Sequence, residues 1–161
     1  MVIIVDTREQ DLAIYNWLKS KGKNVIRKKL DYGDYSFYVP KNEELGFDED
    51  TYFDKEIVIE RKNSLEELIG NLTVKNGERL EKELRNCPAK MVMIIEDQYD
   101  RACLGTYKSG YNRKSLLGKL STLEHKYNVP IKFLSKPSMP VAIWTHFRYY
   151  LRFIIKSLDN E

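Results

Sequence analysis

Residues 57–62 read IVIERK, and this stretch decides the fold because it passes from apolar to charged residues within one predicted strand. Three β-branched residues favour a buried β-strand, and the charged residues then stand at its carboxyl end. Because side chains alternate along a strand, Glu60 and Lys62 lie on one face and Arg61 lies on the other. The sequence therefore predicts a carboxylate and an ammonium group side by side at the edge of a sheet.

Hydrophobic periodicity around this stretch predicts a βαβββααβαβα order of elements. Strands are predicted at residues 1–5, 24–30, 35–39, 57–62, 90–97 and 130–134. Helices are predicted at residues 10–21, 65–76, 78–86, 113–127 and 141–158, the last of them amphipathic. We expect strands 24–30 and 35–39 to form a hairpin, Gly77 to separate two helices, and residues 99–112 to form a loop. The order is typical of an α/β fold with a mixed central sheet and helices on both faces.

Composition indicates one domain with a polyanionic partner. A chain of 161 residues with 42% hydrophobic residues suits a single domain over residues 1–161. Residues 41–56 hold seven acidic and two basic residues, a local charge of −5, so the remainder carries +8 within the overall +3. We interpret this acidic insertion as a solvated loop or hairpin tip between two strands. The positive remainder suits a polyanionic partner that binds away from this insertion.

The sequence shows no sign of a membrane or secreted protein. It contains no apolar run of about 18 residues, and charged residues interrupt the apolar stretch 141–158. The amino terminus lacks the basic region of a signal peptide, so we expect a cytoplasmic protein. Cys87 and Cys103 lack the spacing of a metal site and are expected to be free thiols.

Asp34 and Glu60 are predicted to come from neighbouring strands. Asp34 follows the turn at the head of strand 35–39, and Glu60 lies at the end of strand 57–62. Two carboxylates on adjacent strands suit Mg²⁺, since this hard ion takes oxygen ligands and keeps waters that phosphate oxygens can replace. Lys62, on the same face as Glu60, can orient an attacking water or stabilise a phosphoryl transition state. On these residues alone, surface ion pairs at a strand end are an equal alternative.

Several motifs occur in order along the chain. They are VDTRE at 5–9, LDYGDY at 30–35, IERK at 59–62 followed by LEELI at 65–69, ERL at 78–80 and MIIE at 93–96. The combination of Gly-Asp, a spacer and Glu-Arg-Lys resembles the nuclease domain of the XPF family of structure-specific endonucleases. The resemblance covers essentially the whole chain. It implies a restriction-endonuclease-like core and a metal-dependent DNA endonuclease.

The resemblance implies a role for each matching residue. Asp34, Glu60 and Lys62 match the catalytic residues of the family. Asp34, Glu60 and Asp6 match its metal-binding acids, for Mg²⁺ or Mn²⁺. Charged residues that support this site are expected at the remaining motif positions, namely Arg8, Glu9, Arg61, Glu66 and Arg79.

The chain departs from the family pattern in four respects. Glu66 stands where the motif has Asp, so a supporting salt bridge through a longer side chain is expected. Glu83 stands four residues after Arg79, where the family usually has Gln. The acidic insertion 41–56 is longer than the family spacer. We recognise no tandem helix-hairpin-helix module or helicase domain, so we expect a stand-alone nuclease domain. Such a domain lacks many of the contacts by which the family binds duplex DNA.

Basic and aromatic residues are interleaved at 108–114, where a phosphate backbone and an unpaired base can bind. The residues expected to contact DNA are Lys108, Tyr111, Arg113 and Lys114. A solvated loop and helix end account for the same pattern slightly better. The apolar stripe of the helix at 141–158 is typical of packing on the sheet. The helix nevertheless carries more aromatic residues than one packed face needs, and members of the resembled family pair through their nuclease domains. A homodimer or a heteromeric nuclease partner is therefore expected.

The function that follows is hydrolysis of phosphodiester bonds in DNA at branched, flapped or single-strand/duplex junctions. A bacterial or phage-encoded protein is expected. The alternative is a catalytically silent DNA-binding or scaffold subunit that pairs with another nuclease, but the presence of Asp34, Glu60 and Lys62 argues against it. A restriction-type or junction-resolving nuclease on the same core would make sequence-specific or four-way-junction cuts instead.

Overall fold

The computed structural model describes residues 1–158 and confirms the α/β fold, with one strand and one helix added to the predicted order. The strands are β1 (Val2–Val5), β2 (Val25–Arg27), β3 (Tyr35–Val39), β4 (Thr51–Tyr52), β5 (Ile57–Lys62), β6 (Lys90–Ile95) and β7 (Ile131–Phe133). The helices are α1 (Ala13–Ser20), α2 (Leu65–Leu72), α3 (Val74–Asn86), α4 (Tyr99–Leu104), α5 (Arg113–Tyr127) and α6 (Met139–Leu158). Residues 159–161 of the predicted domain lie outside the described part of the chain.

The strands within residues 1–158 form one mixed sheet. Their order is β2-β1-β3-β5-β6-β7. The short β4 pairs with the carboxyl end of β3. β1 and β2 are parallel, as are β5, β6 and β7, whereas β3 is antiparallel to both β1 and β5. A mixed sheet with helices on both faces is the predicted restriction-endonuclease-like core.

The predicted hairpin between residues 24–30 and 35–39 is wrong, because β1 lies between the two strands. β2 pairs with one edge of β1 in parallel, and β3 pairs with the other edge. The chain passes from β1 through α1 into β2, and a helical crossover of this kind returns a strand parallel to the first. Residues 28–34 then cross the end of β1, where the carbonyl of Asp34 accepts a hydrogen bond from Asp6 N at 2.8 Å.

Alternation along the strands divides the core into two faces. Ile59 of β5 packs with α1 and α6, whereas Val58 packs with α2, α3 and α5. The same alternation places Arg61 on the face of α1 and α6. Glu60 and Lys62 lie on the opposite face, toward α2 and α3. The charged end of β5 is therefore split between the two faces of the sheet, as the sequence predicts.

Helix α2 begins at the predicted N-cap. Ser64 Oγ accepts a hydrogen bond from Glu67 N at 3.1 Å, and Glu67 Oε2 accepts one from Asn63 N at 2.8 Å. The predicted break at Gly77 is wrong, since the break falls at Thr73, whose backbone is extended. Gly77 lies inside α3 and its N–H donates to the carbonyl of Thr73 at 2.7 Å, so this glycine continues the helix.

The predicted loop at 99–112 is wrong in its first half, where α4 forms. Ala102 is completely buried on the α2 face of the sheet, and Gly105 ends the helix with a φ of 70°. Helix α4 has only six residues, which is too short to show a helical hydrophobic period in the sequence.

The acidic insertion 41–56 is anchored to the core rather than being a free loop. It contains a 3₁₀ turn at Glu43–Leu45 and strand β4. Phe47 and Phe53 are buried, and the ring of Phe53 stacks on Phe37 at a centroid distance of 4.6 Å. Most of its acidic side chains are exposed, so the insertion is a structured, negatively charged projection.

None of the helices within residues 1–158 is long and apolar enough to cross a membrane. Cys87 and Cys103 are free thiols, as predicted.

Candidate active site

A cleft of about 460 Å³ opens between the sheet and helix α3, beside the end of β5. Its walls carry carboxylates, cations and two amides. The lining residues are Arg8, Gly33, Asp34, Glu60, Lys62, Asn71, Asn76, Arg79, Leu80 and Glu83. The three residues predicted to be catalytic thus share one cavity.

Asp34 and Glu60 come together because β3 and β5 are paired. Tyr35 lies opposite Ile59, and Asp34 N donates to the carbonyl of Ile59 at 2.8 Å. Arg61 N in turn donates to Asp34 Oδ2 at 2.7 Å, which fixes this carboxylate against β5. Burial and the neighbouring charge of Glu60 raise the pKa of Asp34 to about 8. Two carboxylates that repel each other in a largely buried site favour the binding of a cation.

Lys62 forms an ion pair with Glu60 across the strand face. The distance from Lys62 Nζ to Glu60 Oε1 is 2.7 Å, and both side chains are largely buried. Burial raises the pKa of Glu60 despite the ammonium group beside it. Burial acts to lower the pKa of Lys62, but the charge and hydrogen bond of Glu60, together with the charges of Glu67 and Asp34, outweigh burial and raise the pKa. Lys62 is therefore a cation at the wall of the cleft.

Asp6, predicted as a metal-binding acid, is completely buried and both of its oxygens are occupied. Oδ1 accepts hydrogen bonds from Arg8 N at 2.7 Å and Arg8 Nε at 2.8 Å. Oδ2 accepts from Leu30 N at 2.6 Å and Arg8 Nη2 at 3.2 Å. Burial acts to raise the pKa of Asp6, but these hydrogen bonds bring it below its ordinary value. Arg8, and not Asp6, lines the cleft.

The Arg61 side chain faces away from the cleft and is held by three carboxylates. Its Nη1 donates to Glu9 Oε2 at 3.4 Å and its Nη2 to Asp11 Oδ2 at 2.9 Å, while Glu96 Oε2 also accepts from Nη2. The backbone N–H of the same residue binds Asp34. Arg61 and Glu9 therefore lie behind the sheet, where they support the strand that positions Asp34.

Helix α3 forms the wall opposite the sheet. Asn76, Arg79 and Glu83 line the cleft at spacings of three and four residues, which place them on one helix face. The charge of Glu83 acts on Glu60 and Arg8. Sequence reasoning identified Arg79 but treated Glu83 only as a departure from the family pattern. The helical spacing from Arg79 is the signal that could have found Asn76 and Glu83.

Asn71, also missed from the sequence, supplies a further oxygen. Its Oδ1 is buried without a hydrogen-bond partner, and the residue lines the cleft. An unpaired buried carbonyl is costly, and the cleft that Asn71 lines with Asp34 and Glu60 therefore offers the oxygen ligands that a hard divalent cation prefers. Within residues 1–158 no three Asp, Glu, His or Cys side chains group closely enough to hold a metal by themselves. The residues therefore fit an ion held by two carboxylates and completed by water and phosphate oxygens.

The remaining predicted residues lie outside the cleft. Glu66 does not line it and instead contacts Arg101 of α4. Lys108, Arg113 and Lys114 are exposed, as DNA contact requires. Tyr111 is half-buried and packs against the α2 face of the core.

Comparisons with known proteins agree with the fold and the motifs. The ERCC4 domain family matches residues 5–147. XPF from Aeropyrum pernix is similar in structure, with a TM-score of 0.64 and 21% identity over 91% of this chain and 65% of that one. The same protein in complex with DNA gives a TM-score of 0.67 and 21% identity over 93% and 64%. This chain thus spans slightly less than two thirds of those chains. A search of curated proteins found no match.

Proposed function

The chain belongs to the ERCC4 domain family of nucleases, and on that premise we propose that it is a metal-dependent DNA endonuclease. It hydrolyses phosphodiester bonds at branched, flapped or single-strand/duplex junctions with Mg²⁺ or Mn²⁺. The observation that carries this proposal is the meeting of Asp34, Glu60 and Lys62 in one cleft. Paired carboxylates with an adjacent ammonium group suit phosphoryl transfer to water.

Each side chain of the cleft has its own proposed role in hydrolysis. Asp34 and Glu60 would hold the divalent ion, which neutralises charge on the phosphoryl oxygens and lowers the pKa of water. Lys62 orients the attacking water and stabilises the charge that develops at phosphorus. Arg8 and Arg79, which line the same cleft, bind flanking phosphates.

The reaction balances with water as the only co-reactant. A bond forms between the water oxygen and phosphorus, and the bond from phosphorus to the 3′ oxygen breaks. One proton of the water is transferred to the departing 3′ oxygen. The products carry a 5′-phosphate and a 3′-hydroxyl.

DNA contacts are proposed at the connection between α4 and α5. The exposed Lys108 lies on this connection, and the exposed Arg113 and Lys114 lie in the first turn of α5. The phosphates of one substrate strand can follow these three cations. Tyr111 is half-buried, which leaves part of its ring for contact with an unpaired base.

A second copy of the chain or another nuclease subunit is the proposed protein partner. Helix α6 leaves Val141, Tyr149 and Phe153 between 51% and 65% exposed. Their spacing by multiples of four places them along one stripe of the helix. An exposed apolar stripe of this kind favours association through α6.

Cleavage of labelled flap, fork and nicked duplexes in Mg²⁺ tests the proposed activity. Wild type should cut the flap or fork and lose activity in EDTA. Asp34→Asn should slow cleavage about a thousandfold because a metal ligand is lost, and Lys62→Ala about a hundredfold because the water is no longer oriented. Asp31→Asn removes an exposed charge three residues from Asp34 and should cut normally.

Two results would count against this activity. If wild type and both cleft variants bind DNA equally and none cuts it, the chain is a silent DNA-binding subunit. If wild type cuts only four-way junctions or particular sequences, the proposed preference for flaps and forks is wrong.

A further inference from the structure

Glu66 of α2 links this helix to the segment that follows β6. Its Oε1 accepts a hydrogen bond from Arg101 Nη2 at 2.5 Å and another from Lys108 N at 3.2 Å. The bond from Arg101 is the main reason why the pKa of Glu66 lies below its ordinary value. One carboxylate thus contacts both α4 and the connection between α4 and α5, residues 105–112.

Arg101 is the centre of this linkage. Its Nη1 donates to Asp97 Oδ2 at 2.6 Å, and its Nε donates to the carbonyl of Thr106 at 3.2 Å. The same Asp97 oxygen accepts from Leu65 N at 3.0 Å, in the first turn of α2. A planar guanidinium with several donors can hold such partners in a fixed geometry. Arg101 therefore joins the end of β6, the start of α2 and the connection 105–112.

The connection 105–112 stands at the same end of the sheet as Lys62. Lys62 lies opposite Ile95 in the parallel pairing of β5 with β6, and Glu96 N donates to the carbonyl of Lys62 at 2.8 Å. The chain leaves β6 at this point and continues into α4 and the connection. Lys108 is exposed on the connection, so its ammonium group is available to a DNA strand that reaches the cleft.

We infer that Glu66 and Arg101 are positioning residues that hold the connection 105–112, and with it Lys108, in a fixed place for DNA binding. This inference rests on the proposed function. Neither residue lines the cleft, so neither acts on the reacting atoms. A connection that is ordered before DNA arrives does not lose conformational freedom on binding, and affinity is higher for that reason.

Amide hydrogen exchange and DNA affinity of Glu66→Ala, Arg101→Ala and the double variant test the inference. Exchange should become faster at residues 106–112 in all three variants, and most of all at the Lys108 amide in the two variants that lack Glu66, because its acceptor is lost there. Each single variant should bind a fluorescein-labelled flapped duplex, without divalent metal, about five- to tenfold more weakly. The double variant should bind no more weakly than the singles, because the two residues act as a unit.

Both substitutions should weaken DNA binding without slowing the cleavage step. Single-turnover cleavage at saturating duplex in Mg²⁺ should change by less than about twofold, because the cleft is untouched. Glu66→Gln should recover part of the affinity, since its amide oxygen can accept from Lys108 N. Asp100→Asn removes an exposed carboxylate next to Arg101 and is the matched control, with exchange and affinity of wild type.

Each contrary outcome is informative. Unchanged exchange at 106–112 in Glu66→Ala, or faster exchange with unaltered affinity, overturns the inference while the nuclease activity stands. If Glu66→Ala fails to fold, Glu66→Gln and Arg101→Lys provide the same comparison with smaller changes. A wild-type chain that binds no DNA contradicts the proposed function and this inference together.

Discussion

At the scale of single residues, Gly33 shows how the backbone sets the position of the Asp34 carboxylate in the cleft. Gly33 has a φ of 69°, and a Cβ at this position would lie 2.9 Å from Val58 Cβ and 3.0 Å from the carbonyl oxygen of Ile59. Both atoms belong to β5, which is buried. Glycine therefore lets the turn before Asp34 approach β5 closely enough for Asp34 and Glu60 to share the cleft.

We expect Gly33→Ala to lower the free energy of unfolding by about 3 kcal/mol or more, since left-handed backbone and overpacking each add a cost. Gly22→Ala is the matched control, because Gly22 also has a positive φ, of 64°, but a methyl group added there would have no atom within 4 Å. That control should lose only about 1–2 kcal/mol. Urea denaturation measures both, and equal losses would show that contact with β5 is unimportant.

At the scale of elements, helix α3 is tied to α5 through one carboxylate. Glu81 Oε1 lies 3.4 Å from Lys119 Nζ, and Glu81 Oε2 lies 3.1 Å from Lys126 Nζ and accepts from Tyr127 Oη. The bond from Tyr127 and those from the lysines lower the pKa of Glu81 to about 2. Since α3 also carries Arg79, this tie fixes the wall of the cleft from its outer side.

Glu81→Gln should lower the free energy of unfolding by about 1 kcal/mol at pH 7. A carboxylate whose folded pKa is depressed stabilises the fold fully above its unfolded pKa, and that stabilisation is lost as the pH falls. The difference from wild type should therefore shrink between pH 4.5, the ordinary pKa, and about 2. Thermal denaturation across this range measures it, with the exposed Glu78→Gln on the same helix as control. A difference that is constant with pH would contradict the ion-pair explanation.

At the scale of the whole molecule, the two faces of the sheet serve different purposes. The α2 and α3 face carries the cleft, while the α1 and α6 face buries Arg61 and ends in the outward stripe of α6. Two chains joined through α6 would leave both clefts open, since α6 covers the opposite face of the sheet. The structure is therefore compatible with pairing and catalysis at the same time.

Phe153→Glu should convert a dimer of this chain into a monomer, because it places a charge on the most exposed aromatic residue of the α6 stripe. Light scattering should give twice the monomer mass for wild type and the monomer mass for the variant. Thr122→Glu adds the same charge on the exposed side of α5 and should remain dimeric. A wild-type chain that is monomeric at working concentration would contradict association through α6.

Much of the fold follows from local patterns that need no partner to be recognised. The apolar run at 57–62 and the helical spacing at 113–127 predict β5 and α5 with their observed limits. Ser64 and Glu67 predict the start of α2, because a helix N-terminus is capped by neighbours in sequence. Local patterns do not predict which strands pair, and that is why the hairpin of 24–30 with 35–39 is wrong.

The candidate site also divides into residues that local sequence patterns predict and residues that only the packing of the chain brings to the cleft. The order of motifs predicted that Asp34, Glu60 and Lys62 belong to one site, and they line one cleft. Alternation correctly placed Arg61 on the opposite face of the strand from Glu60 and Lys62. Asn71 of α2 and Asn76 and Glu83 of α3 were missed because their approach to the cleft depends on how both helices pack on the sheet. Asn71 belongs to none of the sequence motifs, and only the folded chain shows that its side-chain oxygen is buried without a partner.

The sequence by itself determined the faces of β5, the cap of α2 and the family resemblance, because strand alternation, capping and motif order act over a few neighbouring residues. Only the tertiary structure decided that β1 separates β2 from β3, that Arg8 occupies both oxygens of Asp6, and that Glu66 holds the connection 105–112. These contacts join residues from separate elements. Their free energy depends on the packing of the whole sheet with its helices, and no local pattern contains that information.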